Sequence, residues 1–382
     1  MAIKGAGTYN SKVNNSTIIA NRAVSNGGGA ARGTLINCII SGNTVIGSYS
    51  SGGGIDEVVA YNCVICDNTA VATCGGGGGA NGGMLNNCTI SGNQAAWLGG
   101  GINRATADHC TIISNSANPS GGGEGGGAAG SMLTSCNIIA NSAGSAGGGV
   151  NNCTINNCVI SGNNSNRGGG IYRAIANNCT IIRNSSMTEA GGAYASTLRN
   201  SIIWSNLTVG AGNNYFSSTL EYSCTLPLSI GTGNISADPQ FVGSTLTLPD
   251  ISPCVDVGNN AYAPLPNDIM SNPRIIGGRV DMGAYENTRY LPYYPNVCLT
   301  SVPVEVSYEI KTMIVAGTNN QYVSGMMWFT NSLYIADATS FLATTSWVTP
   351  EMHLSVGVNN IVIHGSNVYK DISVAVLPIV RG

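Results

Sequence analysis

A seven-residue signature, Asn37-Cys-Ile-Ile-Ser-Gly-Asn43, returns along the first two thirds of the chain. It recurs as Asn62-Cys-Val-Ile-Cys-Asp-Asn68, Asn87-Cys-Thr-Ile-Ser-Gly-Asn93, His109-Cys-Thr-Ile-Ile-Ser-Asn115, Ser135-Cys-Asn-Ile-Ile-Ala-Asn141, Asn157-Cys-Val-Ile-Ser-Gly-Asn163 and Asn178-Cys-Thr-Ile-Ile-Arg-Asn184. Two end variants, Asn15 to Asn21 and Asn200 to Asn206, carry Ser16 and Ser201 in place of the cysteine. Successive second positions are 22, 25, 25, 22, 26, 22, 21 and 22 residues apart. So narrow a spread assigns one structural coil to each repeat, and a coil too small to bury its own apolar face must stack on its neighbours.

Two solenoids have periods in this range. Leu85-Asn-Asn-Cys-Thr-Ile-Ser-Gly-Asn93 fits the first half of a leucine-rich repeat, but that repeat closes its turn with a helical segment. Here the same stretch reads Gly99-Gly-Gly-Ile-Asn-Arg104 or Gly168-Gly-Gly-Ile-Tyr-Arg173, which is a turn followed by another strand. The pattern therefore predicts an all-β fold, a right-handed parallel β-helix with two or three short strands per coil. Strand alternation turns Cys and Ile inward and Thr, Ser and Asn outward. Stacking then makes an inner column of Cys38, Cys63, Cys88, Cys110, Cys136, Cys158 and Cys179. It also makes a turn column of Asn43, Asn68, Asn93, Asn115, Asn141, Asn163, Asn184 and Asn206, whose amides hydrogen-bond along the axis. The glycine clusters are expected to supply positive φ at a sharp corner.

Composition narrows the alternatives. The 53 glycines fall in clusters rather than at every third place, which excludes collagen. A hydrophobic fraction of 43% with a net charge of −3 argues against disorder. Fifteen Lys and Arg against 18 Asp and Glu leave no basic footprint for nucleic acid. No apolar run is long enough to span a bilayer.

This repeat, with its Gly-Gly-Gly corners and the later Asp238-Pro-Gln-Phe-Val, Ser252-Pro-Cys-Val-Asp-Val-Gly258 and Val280-Asp-Met-Gly-Ala-Tyr-Glu286, resembles the right-handed β-helix repeat proteins of bacterial cell surfaces, akin to polymorphic outer-membrane and adhesin-like proteins. The resemblance covers residues 1 to about 287 and implies an extracellular or cell-surface setting. The chain divides into regular coils over 1–220, irregular closing coils with a cap and linker over 221–296, and a small β-sandwich over 297–382. Gly5-Ala-Gly-Thr-Tyr9 aligns with Gly168-Gly-Gly-Ile-Tyr172, so the chain is expected to start inside a coil, as a piece of a longer solenoid would. In the last region strands are expected at Val302–Ile310, Met313–Ala316, Met326–Thr330, Ile361–His364 and Ile372–Leu377. Val356 to Val368 resembles the late hairpin of bacterial immunoglobulin-like modules.

The candidates for chemistry are sparse. The column cysteines read as small buried hydrophobes, with vertical disulfides sterically allowed. Cys63 and Cys66 point to opposite faces of a strand and lack a second pair at zinc spacing, while Cys74, Cys153, Cys254 and Cys298 lie off the column. Glycine-rich phosphate loops fail for want of a following helix. Polysaccharide lyases and hydrolases use this architecture, but the acids before residue 220, Asp56, Glu57, Asp67, Asp108, Glu124 and Glu189, are expected to share no column apart from the adjacent Asp56 and Glu57. His109, His353 and His364 are too scattered for a triad. The acids of the closing region lack a calcium-loop pattern and read as turn and cap residues.

One surface stripe offers binding chemistry. Arg32, Glu57, Arg104 and Arg173 follow the glycine clusters at a constant offset and line one edge, suited to an anionic glycan. The expectation is a non-enzymatic surface structure or adhesin-like protein with no cofactor and no metal, whose partner is an extracellular glycan or another surface protein. Two alternatives stand beside it: a polysaccharide-active enzyme whose site lies outside or barely within this chain, and a solenoid that self-associates end to end.

Overall fold

The computed structural model describes every residue except 1, 2, 72–74, 119, 277, 289–294, 302, 303, 321, 325 and 368–371, and the side chains of 326 and 334–339. Cys74 and most of the expected linker fall outside the described residues. The chain forms two compact units, Met1–Asn287 and Thr288–Gly382.

The first unit is a parallel β-solenoid of about ten coils. A representative coil runs through Ile102–Asn103, Thr106–Asp108, Thr111–Ile113 and Ser116–Ala117. The first two strands belong to one sheet and the others to a second and a third. Each strand pairs in parallel with its counterpart one coil away, as in Thr111↔Asn137, Ile112↔Ile138 and Ile113↔Ile139. Corners between strands are made by single left-handed residues, here Arg104 (φ 52°), His109 (φ 50°) and Ser114 (φ 55°). Asn fills the middle corner at Asn37, Asn62, Asn87, Asn157, Asn178 and Asn200 because its short amide tolerates that conformation. Ile40, Ile65, Ile90, Ile112, Ile138 and Ile160 are wholly buried in one continuous core with Leu35, Leu85, Leu133 and Leu198.

Backbone sharing explains the cysteines better than hydrophobicity alone. The N–H of Cys88 donates to Cys110 Sγ, and that of Cys110 to Cys136 Sγ, each at 3.4 Å. In turn the single S–H of Cys110 is shared between the carbonyls of Leu85 (3.4 Å) and Asp108 (3.3 Å). Past Cys179 the same task falls to Ser201 Oγ and then Ser223 Oγ. Cys153 belongs to a second such column, accepting from Ser131 N at 3.3 Å. All cysteines among the described residues are free thiols.

The asparagine column is hydrogen-bonded throughout. Asn93 donates both its backbone N–H (3.0 Å) and Nδ2 (2.9 Å) to Asn115 Oδ1, and also Nδ2 to the Ile65 carbonyl (2.8 Å). The pattern runs from Asn21 to Asn206 and ends on Asn214 Oδ1.

Glycine clusters are only partly a matter of φ. The first glycine of each triplet is left-handed, Gly99 at 62° and Gly125 at 67°, as expected. The second and third are excluded from larger residues by space. A Cβ on Gly100 would sit 2.3 Å from the Ser116 carbonyl carbon and 2.4 Å from the Gly126 oxygen, and one on Gly101 would sit 3.0 Å from Asn115 Cγ.

Strand pairing reaches Cys224–Thr225, and a last parallel bridge joins Cys224 to Ile235. Residues 238–287 then run along the outer face of the last coils, where strand alternation alone puts solvent. Val159, Ile182 and Ile202 point outward from the sheet yet are buried, under Leu246, Ile269 and Ala284 and under Leu248, Val255 and Met282. Corner asparagines hold this segment by its backbone: Asn178 Nδ2 donates to the Tyr262 carbonyl, Asn200 Nδ2 to that of Asn259 (both 2.9 Å) and Asn157 Nδ2 to that of Asn267. In the early coils the equivalent Asn37, Asn62 and Asn87 bond to one another in file.

The second unit contains small, mostly antiparallel sheets. Val297–Leu299, Ala316–Asn319 and Ser346–Val348 form one sheet. Val304–Val306, Ile372–Arg381, Gly357–Ser366, Met326–Asn331 and Tyr334–Leu342 form another, in which the first pair runs parallel. Val315, Phe329, Trp347, Ile361, Ile363 and Leu377 meet in their shared core. The strand expected at Met313–Ala316 is split between Thr312–Met313 and Ala316–Asn319, and Tyr334–Leu342 was not anticipated.

Candidate functional site

Arg32, Glu57, Arg104 and Arg173 share one column of left-handed corners, at φ 58°, 52°, 52° and 51°. They do not converge. Arg32 Nε donates to Glu57 Oε2 at 3.1 Å, with both side chains more than half exposed, so solvent screens the pair. Arg104 stands three coils from Arg173 in the same column, and the positions between them hold Gly130 and Asn152.

Arg173 has company the sequence did not disclose. Its guanidinium carbon lies 5.0 Å from the Tyr172 ring centroid, and that of Arg167 lies 5.9 Å from the same ring. Tyr172 stacks on Tyr194 (5.3 Å between centroids, 5° between planes), and Tyr194 on Phe216 (6.0 Å, 25°). Tyr172 is buried, Tyr194 half-buried and Phe216 exposed. The signal was present as aromatics at a 22-residue interval. It was obscured because the last glycine triplet is replaced by Gly212-Asn-Asn.

The expectation that Glu124 and Glu189 share no column is corrected. Both lie in the file Leu98, Glu124, Ala146, Arg167, Glu189, whose neighbours form parallel bridges or register pairs. The longer segment 118–123 breaks the constant offset from the Cys-Ile signature, so this file does not show in the sequence spacing. Three coil steps separate them, roughly 14 Å at the spacing of paired strands, beyond the roughly 5–9.5 Å of hydrolase carboxylate pairs. Glu124 Oε2 accepts from Asn151 Nδ2 at 2.9 Å. Asp56 starts a similar amide file: its Oδ1 accepts from Asn81 Nδ2, and Asn81 Oδ1 accepts from Asn103 Nδ2, both at 2.8 Å. Burial pushes the Asp56 carboxyl above its ordinary range. His109 occupies a corner and places Nδ1 2.9 Å from Asp108 Oδ2.

No protein-family model, curated protein or solved structure matches this chain.

The acids of the closing segment gather in its interior. Asp256, Asp281 and Glu286 each place an oxygen within 4.8 Å of the others, and would be the ligands of a cation. A buried arginine and backbone N–H groups already fill their surroundings. Arg274, fully buried, has Nε 3.9 Å from Glu286 Oε2 and donates Nη2 to the carbonyls of Asp281 (2.8 Å) and Gly283 (2.7 Å). Every oxygen of the buried pair also accepts a backbone N–H: Asp281 from Asp256 and Asn287, Glu286 from Ile276 and Asp281. Asp268 ties Met270, Asn272 and Glu286 in the same way. Burial lifts Asp281 to about 7, and burial together with the Asp281 charge lifts Glu286 to about 8. The cluster therefore fastens the Arg274 to Asn287 turns together, beside Gly283 and Ala284 where they meet the solenoid through Asn200 O and Thr180 Oγ1.

Proposed function

We propose that this chain is a non-enzymatic structural element of an extracellular or cell-surface protein, a stiff β-helix that presents its outer faces for adhesion, with the C-terminal unit serving as an immunoglobulin-like spacer. The supporting observation is how the polar and ionisable side chains are used. Amides and thiols are committed to coil-to-coil bonds, and the densest group of carboxylates is locked inside the closing segment with Arg274. The outer faces mix Thr, Ser and Asn with exposed Ile19, Ile39, Val64, Met84, Met132 and Ile175, a surface suited to contact over many coils. Displaying the chain on a non-adherent cell tests the reading: attachment to glycan- or matrix-coated surfaces is expected to rise in proportion to display. Equal attachment with and without the chain, or turnover of a polysaccharide panel by the purified protein, would sink it.

A further inference from the structure

We propose that the coils carrying Arg167, Arg173, Tyr172, Tyr194 and Phe216 form a binding site for an acidic, uronate-type saccharide, an inference that names the ligand chemistry of the surface reading above. Arg32, Arg199, Arg274, Arg279 and Arg381 all spend guanidinium N–H groups on protein oxygens. Among the described residues Arg22, Arg104, Arg167, Arg173 and Arg183 do not, and of these only Arg167 and Arg173 stand at an aromatic ring. They are held by the Tyr172 ring, a contact that positions a guanidinium without consuming any of its donors. Among the described residues neither forms an ion pair.

Two guanidinium groups beside one ring repel each other, Glu189 in register with Arg167 forms no ion pair with it among the described residues, and a bound carboxylate relieves that repulsion while taking paired N–H donors in the geometry guanidinium favours. The ring file gives the direction of the saccharide. Tyr172, Tyr194 and Phe216 step along the axis by one coil each with their ring faces paired to one another, and the file is most exposed at Phe216, a residue 38% accessible. The apolar face of a sugar packs against the Phe216 end of the file while its hydroxyls meet the neighbouring polar groups. Glu189, in register with Arg167 one coil on, is an acceptor for those hydroxyls. A free inorganic anion would use the arginines and gain nothing from the rings.

The test is a titration of the full chain with tetragalacturonate, its methyl ester and inorganic sulfate, followed by calorimetry and tyrosine fluorescence. The uronate is expected to bind and to change tyrosine emission, with affinity falling as salt rises. Arg167→Ala and Arg173→Ala should each weaken it at least tenfold, Tyr194→Ala should weaken it too, and Arg22→Ala should leave it unchanged. Arg173→Lys, which keeps charge and fold, should also bind more weakly. No binding of the uronate, equal binding of its methyl ester, or indifference to the double arginine substitution would overturn the proposal. Full competition by sulfate at equal charge would overturn its saccharide part. Cell attachment that persists without uronate binding would remove this inference and leave the adhesive reading standing. Uronate binding without attachment would do the reverse.

Discussion

Cys110 serves two neighbours at once, accepting the Cys88 amide and donating to the Leu85 carbonyl. That double duty predicts an order of substitution. Cys110→Ser should cost about 1 kcal/mol, since a hydroxyl repeats both bonds. Cys110→Ala should cost roughly 2–3 kcal/mol, because the Cys88 N–H is left buried and unpaired. Urea melts separate the two, and equal losses would refute the hydrogen-bond role. Hydrogen bonding to the next thiol, with burial added, lifts Cys88 and Cys110 to about 12, so alkylation of the native protein at neutral pH should mark Cys66 and Cys298 and spare the column. Glycine gives a second contrast. Gly100→Ala drives a methyl into the backbone of two coils and should cost about 3 kcal/mol or more. Gly243→Ala, left-handed but with nothing within 4 Å, should cost about 1–2 kcal/mol. Inward Cys and Ile and the Asn ladder were legible from the repeat, because each depends on its own offset. The reason for the second and third glycines was not, because the atoms that exclude a side chain belong to other parts of the same coil and to the next one.

For the closing segment, acidity is the variable that matters. Asp281 and Glu286 titrate higher when folded than the ordinary carboxylate range, so their protonated forms favour the docked state. The stability they contribute is complete below about pH 4 and is lost as pH rises through about 7 and 8. Hydrogen exchange in residues 238–287 should therefore accelerate between pH 5 and 9, beyond the intrinsic rate, while the solenoid core stays protected. Asp281→Asn should flatten that dependence, and a rate independent of pH in the wild-type chain would contradict it. With Arg274 already supplying the positive charge, excess chelator or added calcium should leave the melting temperature of this segment unchanged. A calcium-dependent rise would identify Asp256, Asp281 and Glu286 as ligands instead. The acids themselves were visible in the sequence, but their convergence was not: it is made by irregular turns that no period announces, and by a lateral dock onto Val159, Ile182 and Ile202, which strand alternation alone placed in solvent.

The molecule as a whole contains separate cores in its two units, one running through the solenoid and one among Val315, Phe329, Trp347 and Ile361. A calorimetric scan should show two transitions, and a chain ended at Asn287 should keep the solenoid's while losing the other. A single transition that disappears on truncation would mean that the units depend on each other. Within the solenoid every ladder bond reaches one coil away to the same kind of residue, so the bonding scheme is unchanged by translation. Deleting Cys88 through His109 joins Asn87 to Cys110 and rebuilds a Cys, an Ile and an Asn contact of the same kind across the seam. Coil number on the amino-terminal side is then a nearly neutral variable, one that gene duplication can lengthen or shorten without redesign. After Val150 that freedom ends, because Asn157, Asn178 and Asn200 must meet Asn267, Tyr262 and Asn259 in order. Inheritance of length and inheritance of sequence are thereby uncoupled at one end of the rod and bound together at the other.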